Sequence, residues 1–216
     1  MGVMDDVYLL SFVEDEPTQH VVRRIVDHIA GKVPRKVVLM DGYPFVVGGY
    51  GQLKVKARKW AEAAAHGSWM LVVTDMDTDK GLTPNDLGKK WLGVDCFGML
   101  PPKFIFRIAV REIESWIMAD REAFAKYLHV SEDNVTTTPD ELPDPKLELF
   151  RIVREKCKAL RFKRMLPTKN QHVGIDYNVR MCEFVDKFWR IEKAVQVSPS
   201  LHRAVSRLLK TLSEVE

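Results

Sequence analysis

The stretch Trp69-Met70-Leu71-Val72-Val73-Thr74-Asp75-Met76-Asp77-Thr78-Asp79 decides how this chain is read, because an uninterrupted apolar run breaks there into three alternating acids. An apolar run with Val-Val inside predicts a strand buried on both faces, and such strands belong to parallel α/β sheets. The acids then fall at the strand's carboxyl end, where open α/β sheets bind their ligands. Carboxylates at alternate positions can share one hard cation, which makes Asp75 and Asp77 candidate metal ligands. The plainer reading is that a strand leaving the core must turn polar, and that Asp bonds its own backbone in loops. Three acids at period two weigh toward a functional role.

The flanking sequence repeats the pattern. Val7 to Val13 predicts a first buried strand, again ending in acids at Glu14-Asp15-Glu16, and Pro17 opens a helix. Apolar residues at 21, 22, 25, 26 and 29 predict that helix over 18–30, with Gly31 stopping it. Residues 36–41 predict a second strand that runs into an Asp41-Gly42 turn. A glycine-rich link over 43–51 leads to a basic helix over 52–66. It lacks both the P-loop and the GxGxxG patterns and reads as a structural link or a flap. Residues 103–110 predict a fourth strand, and 111–120 turn helical, carrying Glu112 and Glu114 in the first turn, where carboxylates gain from the helix dipole. Asp120 predicts the N-cap of a short helix through Leu128.

The expected fold class is therefore α/β, a parallel sheet of about four strands flanked by helices and followed by a C-terminal helical region. Polar and proline-rich composition over 131–145 marks the boundary. It divides an α/β domain, 1–130, from a helical region, 131–216, packed on or appended to it. Helices are expected over 146–164, 177–196 and 200–214, the last capped by Ser198 or Ser200.

At 216 residues and 46% hydrophobic content the chain can bury a sizeable core. No apolar run approaches the roughly 20 residues of a membrane span, and Asp5 and Asp6 precede the first apolar stretch in place of a basic n-region. A cytoplasmic protein without a membrane partner is expected. Cys96, Cys157 and Cys182 are odd in number, widely spaced and without CxxC. They suggest reduced thiols, with neither a disulfide framework nor a zinc site.

Charge is unevenly spread. Residues 151–169 hold eight basic residues against Glu155 alone, a balance of +7; the chain total is +3, which leaves −4 for the remainder. A basic segment on an acidic body suggests a polyanionic partner such as nucleic acid, with Arg161, Lys163, Arg164 and Lys169 as candidate phosphate contacts. A helix with Leu149, Ile152, Val153, Cys157 and Leu160 inward must also put something polar outward, and that is the alternative.

Phe12-Val13-Glu14-Asp15-Glu16, Thr74-Asp75-Met76-Asp77, Arg111-Glu112-Ile113-Glu114-Ser115-Trp116-Ile117-Met118-Ala119-Asp120 and Ser198-Pro199-Ser200-Leu201 span nearly the whole chain. On these residues the sequence resembles the Toprim fold, over about residues 5–128. More closely, it resembles an uncharacterised bacterial family of Toprim-like proteins akin to the nuclease domains of the overcoming-lysogenization-defect proteins. The resemblance implies a Mg²⁺ (or Mn²⁺) site for phosphodiester chemistry and an association with phage defence. Glu14 matches the strand-one glutamate, and Asp75 and Asp77 match the DxD pair. Asp15 stands where many Toprim proteins have glycine, and the strand-two context is inverted as Asp41-Gly42.

Three functions follow as expectations. In the first, a metal-dependent nuclease, Glu14, Asp75 and Asp77 hold the metal, and Glu14 and Glu112 serve as acid, base or further ligand. The second rests on Val72-Val73-Thr74-Asp75-Met76-Asp77-Thr78, which also fits the DxDxT pattern of haloacid-dehalogenase-like phosphatases, with Asp75 as nucleophile. The third is a non-catalytic module that binds nucleic acid or a partner protein.

Overall fold

The computed structural model describes residues 5–76, 81–93 and 100–214. In chain order the elements are β1 (Val7–Val13), α1 (Glu16–Ala30), β2 (Val37–Leu39), β3 (Phe45–Val46), α2 (Tyr50–Ala65), β4 (Trp69–Asp75), α3 (Pro84–Leu92) and β5 (Phe104–Ala109). Then come α4 (Ile113–Met118), α5 (Arg121–Leu128), α6 (Pro145–Glu155), α7 (Leu160–Lys163), α8 (Tyr177–Lys187), α9 (Ile191–Val197) and α10 (Pro199–Glu214).

All strand pairs are parallel and the order is β2-β1-β4-β5. The short β3 continues the β2 edge, pairing Phe12 with Phe45 and Val13 with Val46. The predicted second strand, 36–41, stops at Leu39 because Asp41 and Gly42 take positive φ, 57° and 74°, and turn the chain out of the ladder. Five strands therefore stand where four were expected.

The central strand β4 is buried along its whole length. Its alternate residues serve two cores. Trp69, Leu71 and Val73 join α1, α4, α5 and the C-terminal helices, while Met70 and Val72 join α2, α3, Phe104 and Phe106 on the other face. Covering both faces is why the sequence of β4 shows no polar alternation.

Helix α1 begins two residues before its predicted start, because Asp15 caps it and accepts from Thr18 N at 3.0 Å. The predicted helix 146–164 breaks after Glu155, where the amides of Lys156 and Cys157 both donate to Ile152 O, and Lys163 Nζ folds back onto the carbonyls of Val153 and Arg154. The predicted helix 177–196 breaks at Phe188. There the buried Trp189 donates its indole N–H to Trp116 O, and Arg190 turns to Asp120. Ser198 caps α10 through Leu201 N, and Ser200 accepts from the Trp116 indole at 2.7 Å. The Ser-Pro-Ser element thus ties α10 to α4.

One hydrophobic cluster runs from Val7 to Leu212 and contains the apolar face of α1 together with residues of α6, α8 and α10. Burial of that face supplies roughly 25 cal/mol per Å², and it is completed by the helices after residue 145. A chain truncated at residue 130 is accordingly expected to lose cooperative thermal unfolding. A sharp circular-dichroism melt from that fragment would show instead that the sheet folds alone.

Candidate metal centre

In this strand order the chain leaves β1 toward β2 on one side and β4 toward β5 on the other, so the crevice between the carboxyl ends of β1 and β4 is the switch point of the sheet. Two predicted site residues meet there. Glu14 follows β1, and its Oε1 accepts from Asp75 N at 3.0 Å and from the Thr74 hydroxyl. Asp75 ends β4, is 8% exposed, and through Oδ1 accepts from Ile113 N, at the start of α4, at 2.9 Å. The junction between β5 and α4 is drawn in by the Met76 amide, which donates to Ala109 O and Arg111 O. Asp77 and Asp79 lie outside the described residues.

The glycine-rich link packs beside this crevice. Val47 N donates to Val13 O and Gly49 N donates to Glu14 O, each at 3.0 Å. Gly49 has φ of 100°, a conformation that a side-chain-bearing residue adopts only under strain. Backbone anchoring makes this link structural.

Glu112 and Glu114 complete the acidic edge. Glu112 Oε2 accepts from Lys146 N at 2.8 Å, at the start of α6. Glu114 is 1% exposed; its Oε1 accepts from the Tyr177 hydroxyl, while Oε2 has no hydrogen-bond partner among the described residues. The Lys146 ammonium lies 3.7 Å from Glu112 Oε1 and 3.4 Å from Glu114 Oε1.

The electrostatics follow from crowding. Burial, then the charges of Glu14 and Glu114, push the Asp75 carboxyl well above the usual carboxylate range. Burial and Glu114 raise Glu112 to about 7, although Lys146 pulls the other way. Burial opposes the charge on Lys146, but Glu114, Asp75 and Glu112 outweigh it and hold the ammonium protonated. Burial and Glu114 likewise keep the Tyr177 phenol protonated.

An all-oxygen donor set with an unsatisfied buried carboxylate oxygen fits a hard divalent cation. The fit is a loose one. Among the described residues, the group of three or more candidate ligands whose donor atoms all lie within 4.8 Å of one another is Glu16, His20 and Cys182, not the strand-end acids. Mg²⁺ commonly uses only one or two protein carboxylates and keeps its waters, so Glu14 and Asp75 suffice as the protein's share.

The predicted phosphate contacts are more dispersed. Arg161 lies over the rings of Phe162 and Tyr127, at 4.6 and 5.9 Å from their centroids. Lys163 caps the end of α6, and Arg164 pairs with Asp176 at 3.1 Å. Lys169 is exposed. Lys146 stands at the start of α6 and these residues follow its end at Glu155, nine residue steps or about 13.5 Å further along at 1.5 Å per residue. Asp120 caps α5, as predicted, and its buried carboxylate also pairs with the half-buried Arg190 at 2.7 Å.

Lys146, Tyr177 and the burial of Glu114 were not anticipated from the sequence. Lys146 follows Pro145 in the stretch read as a boundary, and Tyr177 arrives only through packing of α8. Compared with protein-family models, with curated proteins and with solved structures, the chain matches none.

The raised carboxyls fix a pH dependence. A group whose folded-state pKa lies above its unfolded value binds more protons in the native state, so its stabilisation is complete below the unfolded value and is lost as pH rises through the folded one. The cation-free protein is expected to lose stability between about pH 4.5 and about pH 7 through Glu112. Glu112→Gln, which keeps an acceptor for Lys146 N, should flatten that slope and raise the melting temperature at pH 8. Urea melts across the range check both; a wild-type slope of opposite sign would overturn the assignment.

Proposed function

We propose that the chain is a Mg²⁺- or Mn²⁺-dependent phosphodiester-processing protein acting on nucleic acid, a nuclease of the kind the Toprim resemblance implies, with phage defence as its setting. The observation that carries this reading is the gathering of Glu14, Asp75, Glu112 and Glu114 at the switch point of a parallel sheet, with one Glu114 oxygen buried and without a hydrogen-bond partner among the described residues. Glu14 and Asp75, joined by Asp77, would hold the cation. When bound, it would neutralise charge developing on a phosphate and lower the pKa of an attached water. Glu112, at about 7, is matched to proton transfer near neutrality and is assigned as general acid or base.

The aspartyl-nucleophile reading is less well supported. A nucleophilic carboxylate must reach the substrate directly, whereas Asp75 is buried and bonded to Ile113 N.

Support for a nucleic-acid partner comes from a different place than the +7 segment alone. Lys126, Tyr127, Arg161, Lys187, Phe188 and Arg190, with Glu122 paired to Arg190 among them, line a cavity of about 530 Å³ between α5 and the end of α8. Cations interleaved with aromatic rings, one of them the 47% exposed Phe188, suit a single strand, whose bases stack and whose phosphates pair.

Three measurements test the proposal. Nicking or strand cleavage should require Mg²⁺ or Mn²⁺, should be abolished by chelator, and should fall roughly 10²- to 10⁴-fold in Glu112→Gln; binding without metal-dependent cleavage would mark a non-catalytic module. Phe188→Ala should weaken single-stranded DNA binding by about 1–3 kcal/mol. Arg161→Gln should flatten the log–log salt dependence by about 0.7 if it meets one phosphate. An unchanged slope would show that Arg161 serves only its own aromatic neighbours.

A further inference from the structure

Helices α1 and α8 pack against each other, and each presents two metal-ligating side chains four residues apart at their contact. Glu16 and His20 stand on α1, Cys182 and Asp186 on α8. Side chains at i and i+4 share a helix face, so the two pairs confront one another. One donor atom each from Glu16, His20 and Cys182 lies within 4.8 Å of the other two. We propose that Glu16, His20 and Cys182 bind one borderline-soft dication of the Zn²⁺ class, which clasps α1 to α8 beside the strand-end acids.

Four observations favour a site over a chance meeting. The donor set mixes sulfur, imidazole and carboxylate, the combination that selects Zn²⁺ over Mg²⁺. His20 Nδ1 lies 2.9 Å from both oxygens of Asp186, the carboxylate contact that orients metal-ligating imidazoles and leaves Nε2 as the donor. The thiol is buried while Glu16 is exposed, so a cation has a path inward and a dry sulfur at its end. Glu16 and Asp186 place negative charge around the sulfur, and such charge attracts a dication.

On binding, the Cys182 S–H bond breaks and its proton passes to solvent as the sulfur–metal bond forms. Thiolate and Glu16 together then carry −2, balancing the ion, and the neutral imidazole completes three protein ligands with one position left for water. Zn–S of about 2.3 Å and Zn–N of about 2.0 Å call for only small side-chain rotations from the separations present.

The experiment uses the full chain, stripped with chelator and titrated with Co²⁺. A thiolate-to-cobalt charge-transfer absorption in the near ultraviolet is expected to rise to one equivalent, to be bleached by Zn²⁺ and to withstand excess Mg²⁺. Cys182→Ser and His20→Gln should abolish it, the second from a less buried position, with far-ultraviolet circular dichroism confirming that both variants fold. Asp186→Asn should weaken affinity roughly 10- to 100-fold. Asp75→Asn should leave the absorption intact, which separates this site from the strand-end centre, where sulfur is not a ligand. Absence of the band in the wild type, or its survival in folded Cys182→Ser, would overturn the proposal.

Discussion

Negative charge buried at one sheet edge is the constraint on which the architecture depends, and Lys146 is what makes it tolerable. Taking a carboxylate out of water costs several kcal/mol unless a partner compensates. Glu114 is 1% exposed and Asp75 8%. The Lys146 ammonium approaches Glu112 and Glu114, its amide bonds Glu112, and its own protonation is held by the acids around it. Lys146 belongs to α6, beyond the polar stretch that looks like a domain boundary. The helices after that stretch are therefore joined to the sheet electrostatically at the site as well as through the shared apolar cluster.

This arrangement leaves the crowded acids incompletely compensated. A lysine and a hydrated divalent ion both answer crowded carboxylates, but one ammonium leaves Glu114 Oε2 without a hydrogen bond among the described residues and leaves Glu112 shifted to about 7. Perturbed carboxyls of this kind are found both at functional sites and in structural ion-pair networks, and it is their place at the switch point of the sheet that makes this group a candidate site.

Much of the scaffold was legible because strands buried on both faces announce themselves. The apolar runs of β1, β4 and β5 and the acids directly after them survive into the structure, as do the caps at Asp120 and Ser198. What could not be read was any relation created by packing. The segment with +7 loses its uniformity in three dimensions, because Arg151 meets Glu148 and Glu155, Arg164 meets Asp176, and Lys163 turns to helix-end carbonyls. A window count sees only its own acids. Similarly, Cys182 carries no CxxC signature, and its neighbours on α1 are some 160 positions away; the surviving trace is the spacing of four between Glu16 and His20 and between Cys182 and Asp186.

The acids at 14, 15 and 16 show how far one sequence motif divides once folded. Glu14, still in the extended chain after β1, turns to the end of β4 and fixes the register of the strand-end acids. Asp15 caps α1 through the Thr18 amide and hydroxyl, so its carboxylate is committed to starting the helix. Glu16, the first helical residue, is rotated onward and faces α8 with His20. Successive residues at a strand-to-helix junction point in different directions because the backbone changes from a two-residue to a 3.6-residue period there. An acid at position 15 has a physical reason in this chain. A glycine offers no side-chain acceptor to the Thr18 amide, whereas Asp15 sets the first turn of α1 and with it the directions in which Glu14 and Glu16 project.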